Sequence, residues 1–331
     1  MNQNISERAA KTNFGDRLLR SVMQKKSVLV IGLDPRPEDL PSPLLSEIRS
    51  GFSPDSLGPG REDKSLARAV YTGVRKFCIE IIDSTADFAC AVKPQIAFFE
   101  QLGPAGYRIL GDILARARNR ELIVIMDVKR GDIGTTSDAY ARAWLASVTP
   151  AGVPNTLECD AVTLAPYLGW DTVASFAPYF ENGKGAFVLC RTSNKSAVEF
   201  QDLKSGNERI WEKTAQLIAK WGSDKTGESG FSSIGAVTGA TYPEEGRRIR
   251  EILPNAWFLV PGIGAQGGKP EDARCFTRAD GTGAIFNASR GVIYAYKSRE
   301  YERFGEKGFA DAARAAAENL RTVLWENCGI L

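Results

Sequence analysis

The chain contains no histidine. That absence removes Ser-His-Asp and Cys-His nucleophilic catalysis, and histidine-ligated zinc, before any motif is considered. Proton transfer has to come from Asp, Glu, Lys, Tyr, Cys, Ser or Thr, and charge stabilisation from these or from backbone dipoles. There is no C-x-x-C pair among Cys78, Cys90, Cys159, Cys190, Cys275 and Cys328. Most of these cysteines lie inside apolar segments, as reduced core thiols do, which points to the cytoplasm. No apolar run approaches the roughly 20 residues needed to span a bilayer. The opening MNQNISERAAKTNFGDRLLRSVMQKK has no long apolar core before a small-residue cleavage site, and Glu7 and Asp16 argue against a transit peptide. A surplus of one charge is missing as well. With 42 basic and 40 acidic residues the net charge is +2, which offers nothing to nucleic acid or to an anionic membrane.

What is present is 331 residues of ordinary globular composition, 43% hydrophobic and 25% charged. Eight short apolar runs recur along it: SVLVIGLD (27–34), DFACAVKP (87–94), LIVIMDVK (122–129), DAVTLAP (160–166), GAFVLCR (185–191), SIGAVTG (233–239), AWFLVPG (256–262) and GAIFNAS (283–289). They are nearly continuous in Val, Ile, Leu, Ala and Phe, as parallel strands covered on both faces are. Amphipathic stretches such as LARAVYTGVRKFCIEIIDST and YPEEGRRIREIL fill the intervals. This pattern predicts a single-domain (β/α)8 TIM barrel over 1–331, with a doubly wound open sheet as the competing architecture. A tail over about 1–13 precedes a short helix around Phe14–Lys25, and a Pro-, Ser- and Gly-rich insertion occupies about 35–62.

In a barrel the C-terminal strand ends build the active site. Here those ends carry Asp34, Lys93, Asp127 and Lys129, with Asp132 just beyond. Strand alternation puts Asp127 and Lys129 on one face. One strand-end charge usually belongs to a surface ion pair worth little. Four on three consecutive strands describe a site whose charges hold one another in place. On the far side, PGIGAQGG carries Gly262, Gly264 and Gly267 after the seventh strand, and NASRGV places Arg290 after the eighth. As a dinucleotide fingerprint G-x-G-x-x-G is in the wrong place, but loops after strands seven and eight of barrels often bind phosphate. Arginine suits phosphate because its planar fork donates two parallel hydrogen bonds. The expected ligand is therefore a small phosphorylated molecule reacting some distance from its phosphate.

At these motifs the chain resembles the orotidine 5′-phosphate decarboxylase family, its longer bacterial members in particular. DVKRGDIGTT is similar to the signature D-x-K-x-x-D-I-x-x-T, met by Asp127, Lys129, Asp132, Ile133 and Thr136. NFGDRLLRSV, VLVIGLDPRP, AVKPQIAFFE, LCRTSN, GAVTGATYPEE, LVPGIGAQGG and NASRGV follow in order, so the resemblance covers most of the chain. One position departs: the family pattern has Asn before Pro-Tyr-Leu-Gly, where this chain has Ala165.

The resemblance implies conversion of orotidine 5′-phosphate to uridine 5′-phosphate in de novo pyrimidine synthesis, with no metal and no organic cofactor. By the same token Lys129 protonates carbon 6 of the ring, Asp127 sits against the departing carboxylate, and Lys93 links it to Asp34 at the ribose hydroxyls. Asp132 and Thr136 are implied to reach the site of a partner subunit, making a homodimer. Ser193 would face the pyrimidine edge. Gln266 and Arg290 would hold the phosphate, with Gly262 and Ser289 among the substrate-binding residues. These residue types suit the chemistry. An ammonium can stabilise a carbanion in the ring plane and then protonate it, and flanking aspartates keep that ammonium charged and aimed. The Gly-rich stretch 266–282 is the expected mobile lid.

Three rival readings remain at this stage. A related magnesium-using sugar-phosphate barrel shares the D-x-K strand end, but RTSN and PGIGAQGG argue against it. A Schiff-base aldolase lysine has to become neutral, whereas flanking aspartates favour the charged form. A non-catalytic nucleotide- or protein-binding barrel leaves the charge cluster unexplained.

Overall fold

The computed structural model describes residues 12–50, 62–264 and 267–330, the side chains of 47–50 and 62–69 excepted. Among the described residues eight barrel strands form, one on each apolar run: β1 Leu29–Leu33, β2 Ala91–Pro94, β3 Ile123–Arg130, β4 Ala161–Leu164, β5 Gly185–Arg191, β6 Ile234–Thr238, β7 Phe258–Pro261 and β8 Ala284–Ala288. They pair in parallel in the order β1-β8-β7-β6-β5-β4-β3-β2 and close on themselves. The (β/α)8 barrel expected from the sequence is the fold, and the open sheet is not. The run at 87–94 contributes strand only from residue 91, because the preceding helix is still turning there: Phe88 N donates to Thr85 O at 2.9 Å.

Helices cover the outside through apolar stripes. On Glu62–Thr85, Val74, Phe77, Cys78, Ile81 and Ile82 are buried at the spacing of one helical face. Phe77 stacks between Tyr294 and Phe309, at 5.5 and 5.4 Å between ring centroids, tying this helix to the C-terminal helix Phe309–Cys328. The helix Phe14–Lys25 forms where the sequence places it. Asn13 caps it by accepting the N–H of Gly15 at 2.7 Å. This helix packs at the base of the barrel, with Phe14 edge-on to Phe187 and Trp257 Nε1 donating to Gly15 O at 3.1 Å.

The base also contains a buried arginine with no carboxylate ion-pair partner among the described residues. Arg250, on the helix Pro243–Ile252, donates to the carbonyls of Leu253, Ala256, Phe276 and Gly283 at 2.7–3.1 Å. Its guanidinium lies 3.6 Å from the centroid of the Phe258 ring. It ties the loop before β7 to the segment before β8. Arg250→Met should destabilise the fold by about 3–5 kcal/mol, since four carbonyls lose a charged donor. The expected readout is a melting temperature lowered by roughly 10 °C with an unchanged KM. A shift under about 2 °C would show that water replaces the guanidinium at little cost.

Of the insertion at 35–62, Pro37–Asp39 forms a 3₁₀ turn and Ser42–Ser50 a helix, with Leu40 and Leu44 packed into the core; 51–61 lie outside the described residues. Most of the N-terminal tail, residues 1–11, lies outside them too. The lid reading of 266–282 needs correction. From Pro270 on, this stretch is a packed wall: a 3₁₀ helix over Pro270–Phe276 buries Ala273 and Phe276, and Arg274 donates to Cys328 O at 2.7 Å.

Candidate active site

The charged strand ends converge on one aspartate. Asp127, on β3, has both carboxylate oxygens fully engaged. Oδ2 accepts from Lys93 Nζ at 2.8 Å and Gln95 Nε2 at 3.0 Å, while Oδ1 accepts from Lys129 Nζ at 2.6 Å and Thr163 Oγ1 at 2.9 Å. Lys93 and Asp127 are buried, whereas the side chain of Lys129 is 47% exposed. Lys129 is therefore the ammonium exposed at the cavity, and Lys93 the one that completes the base of the cluster.

Regular alternation along β3 is not what brings Asp127 and Lys129 together. Pairing with β4 runs Met126↔Val162 and then jumps to Arg130↔Leu164, so β3 bulges in between. Lys129 sits in that bulge with φ of 44°, a left-handed conformation a lysine rarely adopts. Its backbone N–H is anchored on Thr163 Oγ1 at 2.9 Å, the same hydroxyl that donates to Asp127. Local strain of this kind persists where surrounding contacts over-determine it, and here those contacts aim the side chain back onto Asp127.

Burial by itself would raise the Asp127 carboxyl, but the ammonium groups of Lys93 and Lys129 outweigh it and hold it well below the usual carboxylate range. Burial would lower Lys93, and the carboxylates of Asp127 and Asp34 outweigh that and raise it. Both shifts favour the charged forms. The stability that Asp127 contributes is present above its unfolded pKa of about 3.9 and is lost as pH falls below it, on the scale of about 2–3 kcal/mol. Lys93 acts in the opposite direction, its contribution fading only as pH rises past about 10.5. Stability measured by denaturant should accordingly stay level from neutral pH into mild acid and drop below about pH 4. A carboxyl ¹³C titration of Asp127 with its midpoint near 4 would remove the basis for this expectation.

Asp34 follows β1. One carboxylate oxygen accepts from Ser289 Oγ across the barrel seam, and Oδ1 is buried with no hydrogen-bond partner among the described residues. Residues from all sides line a cavity of about 900 Å³: Asp34, Lys93, Asp127 and Lys129 on one wall, Ser193 beyond β5, and Gly262, Ser289 and Arg290 opposite. Arg290 opens the short helix Arg290–Ile293, exposed and without an ion-pair partner among the described residues.

The glycine loop after β7 is partly bonded to itself. Gly262, Gly264 and Gly267 do have positive φ, of 103°, 71° and 96°. Their neighbourhood closes on itself, however: Gly264 N donates to Gly268 O, Gly267 N to Gly264 O and Gly268 N to Gly262 O, at 2.8–3.0 Å. Those three amides are occupied within the loop, while Gly262, Ser289 and Arg290 line the cavity. Gln266 lies outside the described residues.

Asp132 and Thr136 are not brought into the cavity of their own chain. Asp132 Oδ1 accepts the N–H of Ile133 at 2.8 Å, at the entry to the helix Gly134–Leu145, and Thr136 is exposed on its first turn. Nor does Ala165 line the cavity; its N–H donates to Arg130 O at 2.8 Å. Sequence reasoning missed Thr163, Gln95 and Asn287. The available signal was a polar residue inside or directly after an apolar strand: Thr163 in DAVTLAP, Gln95 after AVKP, and Asn287 in GAIFNAS, buried with Oδ1 unpaired among the described residues.

Among the described residues no group of three or more Cys, Asp or Glu side chains is placed to hold a metal ion, and no helix is long and apolar enough to cross a membrane. What the arrangement can do follows from its charges. With Asp34 and Asp127 set against Lys93 and Lys129 the cluster is balanced overall, and its exposed cationic end is Lys129, where an anionic group can be met and a proton delivered.

Comparison with known proteins gives consistent results. The model of the orotidine 5′-phosphate decarboxylase / HUMPS family matches residues 27–304. The chain is 42% identical over 305 residues to the orotidine 5′-phosphate decarboxylase of Rhodopirellula baltica, covering 92% of this chain and 96% of that protein. It is 38% identical over 314 residues to the corresponding protein of Caldicellulosiruptor bescii, covering 94% and 99%. Among solved structures, the OMP decarboxylase of Leishmania donovani superposes with a TM-score of 0.68 at 29% identity, over 94% of this chain and 99% of that one.

Proposed function

Because the chain belongs to the orotidine 5′-phosphate decarboxylase / HUMPS family, we propose that it decarboxylates orotidine 5′-phosphate to uridine 5′-phosphate in pyrimidine biosynthesis. The observation that carries this reading is the Lys93–Asp127–Lys129 triad sharing one cavity with Arg290. The substrate's carboxylate lies beside Asp127, and its ring carbon 6 beside Lys129. As carbon dioxide leaves, the electron pair stays in the ring plane, stabilised by the Lys129 ammonium, which then transfers a proton to that carbon. Asp127 holds Lys129 in place, and its repulsion of the substrate carboxylate disappears as the neutral product departs. The unpaired Oδ1 of Asp34 receives a ribose hydroxyl. Arg290 grips the phosphate, with Gln266, Ser289 and Gly262 around it, and Ser193 meets the pyrimidine edge.

Asp132 and Thr136 serve the site of a second copy in a homodimer. In support, Ile133, Tyr167, Trp170 and Phe200 are exposed, with Tyr167 and Phe200 rings 6.1 Å apart. Thr172 Oγ1 donates to Asp132 O at 3.0 Å, which holds the Tyr167–Trp170 loop next to the Asp132 turn. An apolar surface of that kind beside a polar turn is the usual material of an interface between copies. We read the whole chain as one barrel domain, cytoplasmic, with the 35–62 stretch as its elaboration.

The test is a spectrophotometric assay on orotidine 5′-phosphate in the presence of a metal chelator. Full activity is expected, and loss of activity restored by magnesium would favour the magnesium-using barrel instead. The same assay reads the dimer. Lys129→Ala and Asp132→Ala chains, each inactive alone, should regain about one quarter of wild-type activity when dissociated, mixed and reassociated, since half the dimers then hold one intact site. No recovery on mixing would confine each site to a single chain.

A further inference from the structure

The bulge in β3 holds Lys129 left-handed, and Thr163 secures only its leading side, through the N–H of Lys129. The trailing side is Arg130, which the reaction scheme leaves unused and which is not among the residues lining the cavity.

The backbone of Arg130 resumes the barrel ladder, pairing with Leu164 and accepting the N–H of Ala165 at 2.8 Å. Its side chain is gripped from three directions. Nη2 donates to Glu100 Oε1 at 2.9 Å, on the short helix Ala97–Glu100 after β2. Nη1 donates to the carbonyl of Val128, back across the bulge, at 3.3 Å. The guanidinium carbon lies 5.1 Å from the centroid of the Tyr140 ring, on the helix Gly134–Leu145. One side chain therefore ties the two ends of the bulge together and fastens them to the helices before and after β3.

Stability is a poor reason for this arrangement. The side chains of Arg130 and Glu100 are 23% and 40% exposed, and an ion pair that open contributes little. Arg130 Nε is meanwhile buried with no hydrogen-bond partner among the described residues, which costs free energy. What the contacts secure is direction. A lysine relaxes from a φ of 44° toward about −120°, the ordinary extended value. That rotation swings its side chain away from Asp127 Oδ1, where Nζ now lies at 2.6 Å. The bulge cannot flatten in this way without pulling Arg130 off its contacts.

We propose that Arg130 is the positioning residue for Lys129, clamping the β3 bulge so that the ammonium stays aimed at the reacting carbon. The inference rests on the reading of this cavity as the decarboxylation site. Arg130 acts only through Lys129, which gives it a signature that a purely structural arginine lacks.

The experiment uses Arg130→Met in the full-length enzyme, which keeps the apolar stem and removes the guanidinium. The kcat on orotidine 5′-phosphate should fall about thirty- to hundredfold, the cost of misplacing a catalytic group by roughly 1 Å. The dissociation constant for uridine 5′-phosphate should stay within about twofold, and the melting temperature within about 3 °C. Added to Lys129→Ala, the same change should have no further effect on single-turnover decarboxylation. Selective ¹³C labelling of lysine reads the backbone directly, since Cα and Cβ shifts separate left-handed from extended residues. Lys129 should be left-handed in wild type and extended in Arg130→Met. Glu100→Ala, an exposed change that frees one side of the clamp, should show the same pattern at about tenfold, so the test does not depend on how Arg130→Met folds. An unmoved kcat in both variants, additive losses in the double variant, or a left-handed Lys129 in Arg130→Met would each overturn the proposal while leaving the cavity reading intact. Absence of turnover in wild type would overturn both, and the lysine shifts, read without substrate, tell the two failures apart.

Discussion

Lys129→Ala should lower kcat on orotidine 5′-phosphate by about four orders of magnitude, combining loss of general-acid catalysis with loss of charge stabilisation. Binding of uridine 5′-phosphate should survive within about tenfold, because the phosphate and ribose contacts lie elsewhere in the cavity. The geometry makes this loss hard to compensate. The other lysine, Lys93, is buried at the base of the cluster and bonded to Asp127, so it cannot swing out to replace the missing ammonium. The fold should persist, since Asp127 keeps its partners Lys93, Gln95 and Thr163 after the change. Lys129→Arg should fail nearly as badly, because a guanidinium does not give up its proton at accessible pH. The measurement is single-turnover decarboxylation alongside calorimetric titration with uridine 5′-phosphate. A kcat within tenfold of wild type in Lys129→Ala would reassign the proton to another group.

Much of this arrangement was legible in the chain itself. Near-continuous apolar runs this short, rich in Val and Ile, read as strands covered on both faces, and eight of them separated by amphipathic stretches leave few architectures besides a closed barrel. Asp34, Lys93, Asp127 and Lys129 were identifiable because charge at the end of an apolar strand is conspicuous. Thr163 and Asn287 were not, because a single neutral polar residue inside a strand looks the same whether it faces the barrel axis or a helix. The bulge at Lys129 was hidden for a different reason. Asp-x-Lys spacing is satisfied by simple alternation, and only the pairing jump from Met126 to Arg130 against β4 reveals a left-handed residue. Glycine content in the loop after β7 admits two readings. Gly-rich sequence signals both a backbone ready to bind an anion and a backbone folded tightly on itself, and the amides of Gly264, Gly267 and Gly268 are of the second kind. The lid reading does not hold from Pro270 on, since Phe276 and Ala273 anchor what composition alone made look mobile.

That finding sharpens the expectation for Arg290. With the amides of Gly264, Gly267 and Gly268 occupied, the guanidinium carries most of the charge-assisted bonding that this side of the cavity can offer a phosphate. Arg290→Ala should therefore reduce kcat/KM on orotidine 5′-phosphate by about 3 kcal/mol, roughly a hundredfold, the scale of a charged hydrogen-bonded pair. On orotidine, which lacks the phosphate, the same variant should lie within about twofold of wild type. The contrast is informative because the substitution leaves the packing alone. Val292 and Ile293 bury the short helix on the barrel, whereas Arg290 itself is exposed. Equal losses on both substrates would mean that Arg290 shapes the wall rather than holding the ligand. If instead the loss falls on kcat as well as KM for the phosphorylated substrate alone, phosphate binding at Arg290 is being used to order the site around Lys129, since energy from a remote contact can raise the rate only when it is expressed in the transition state.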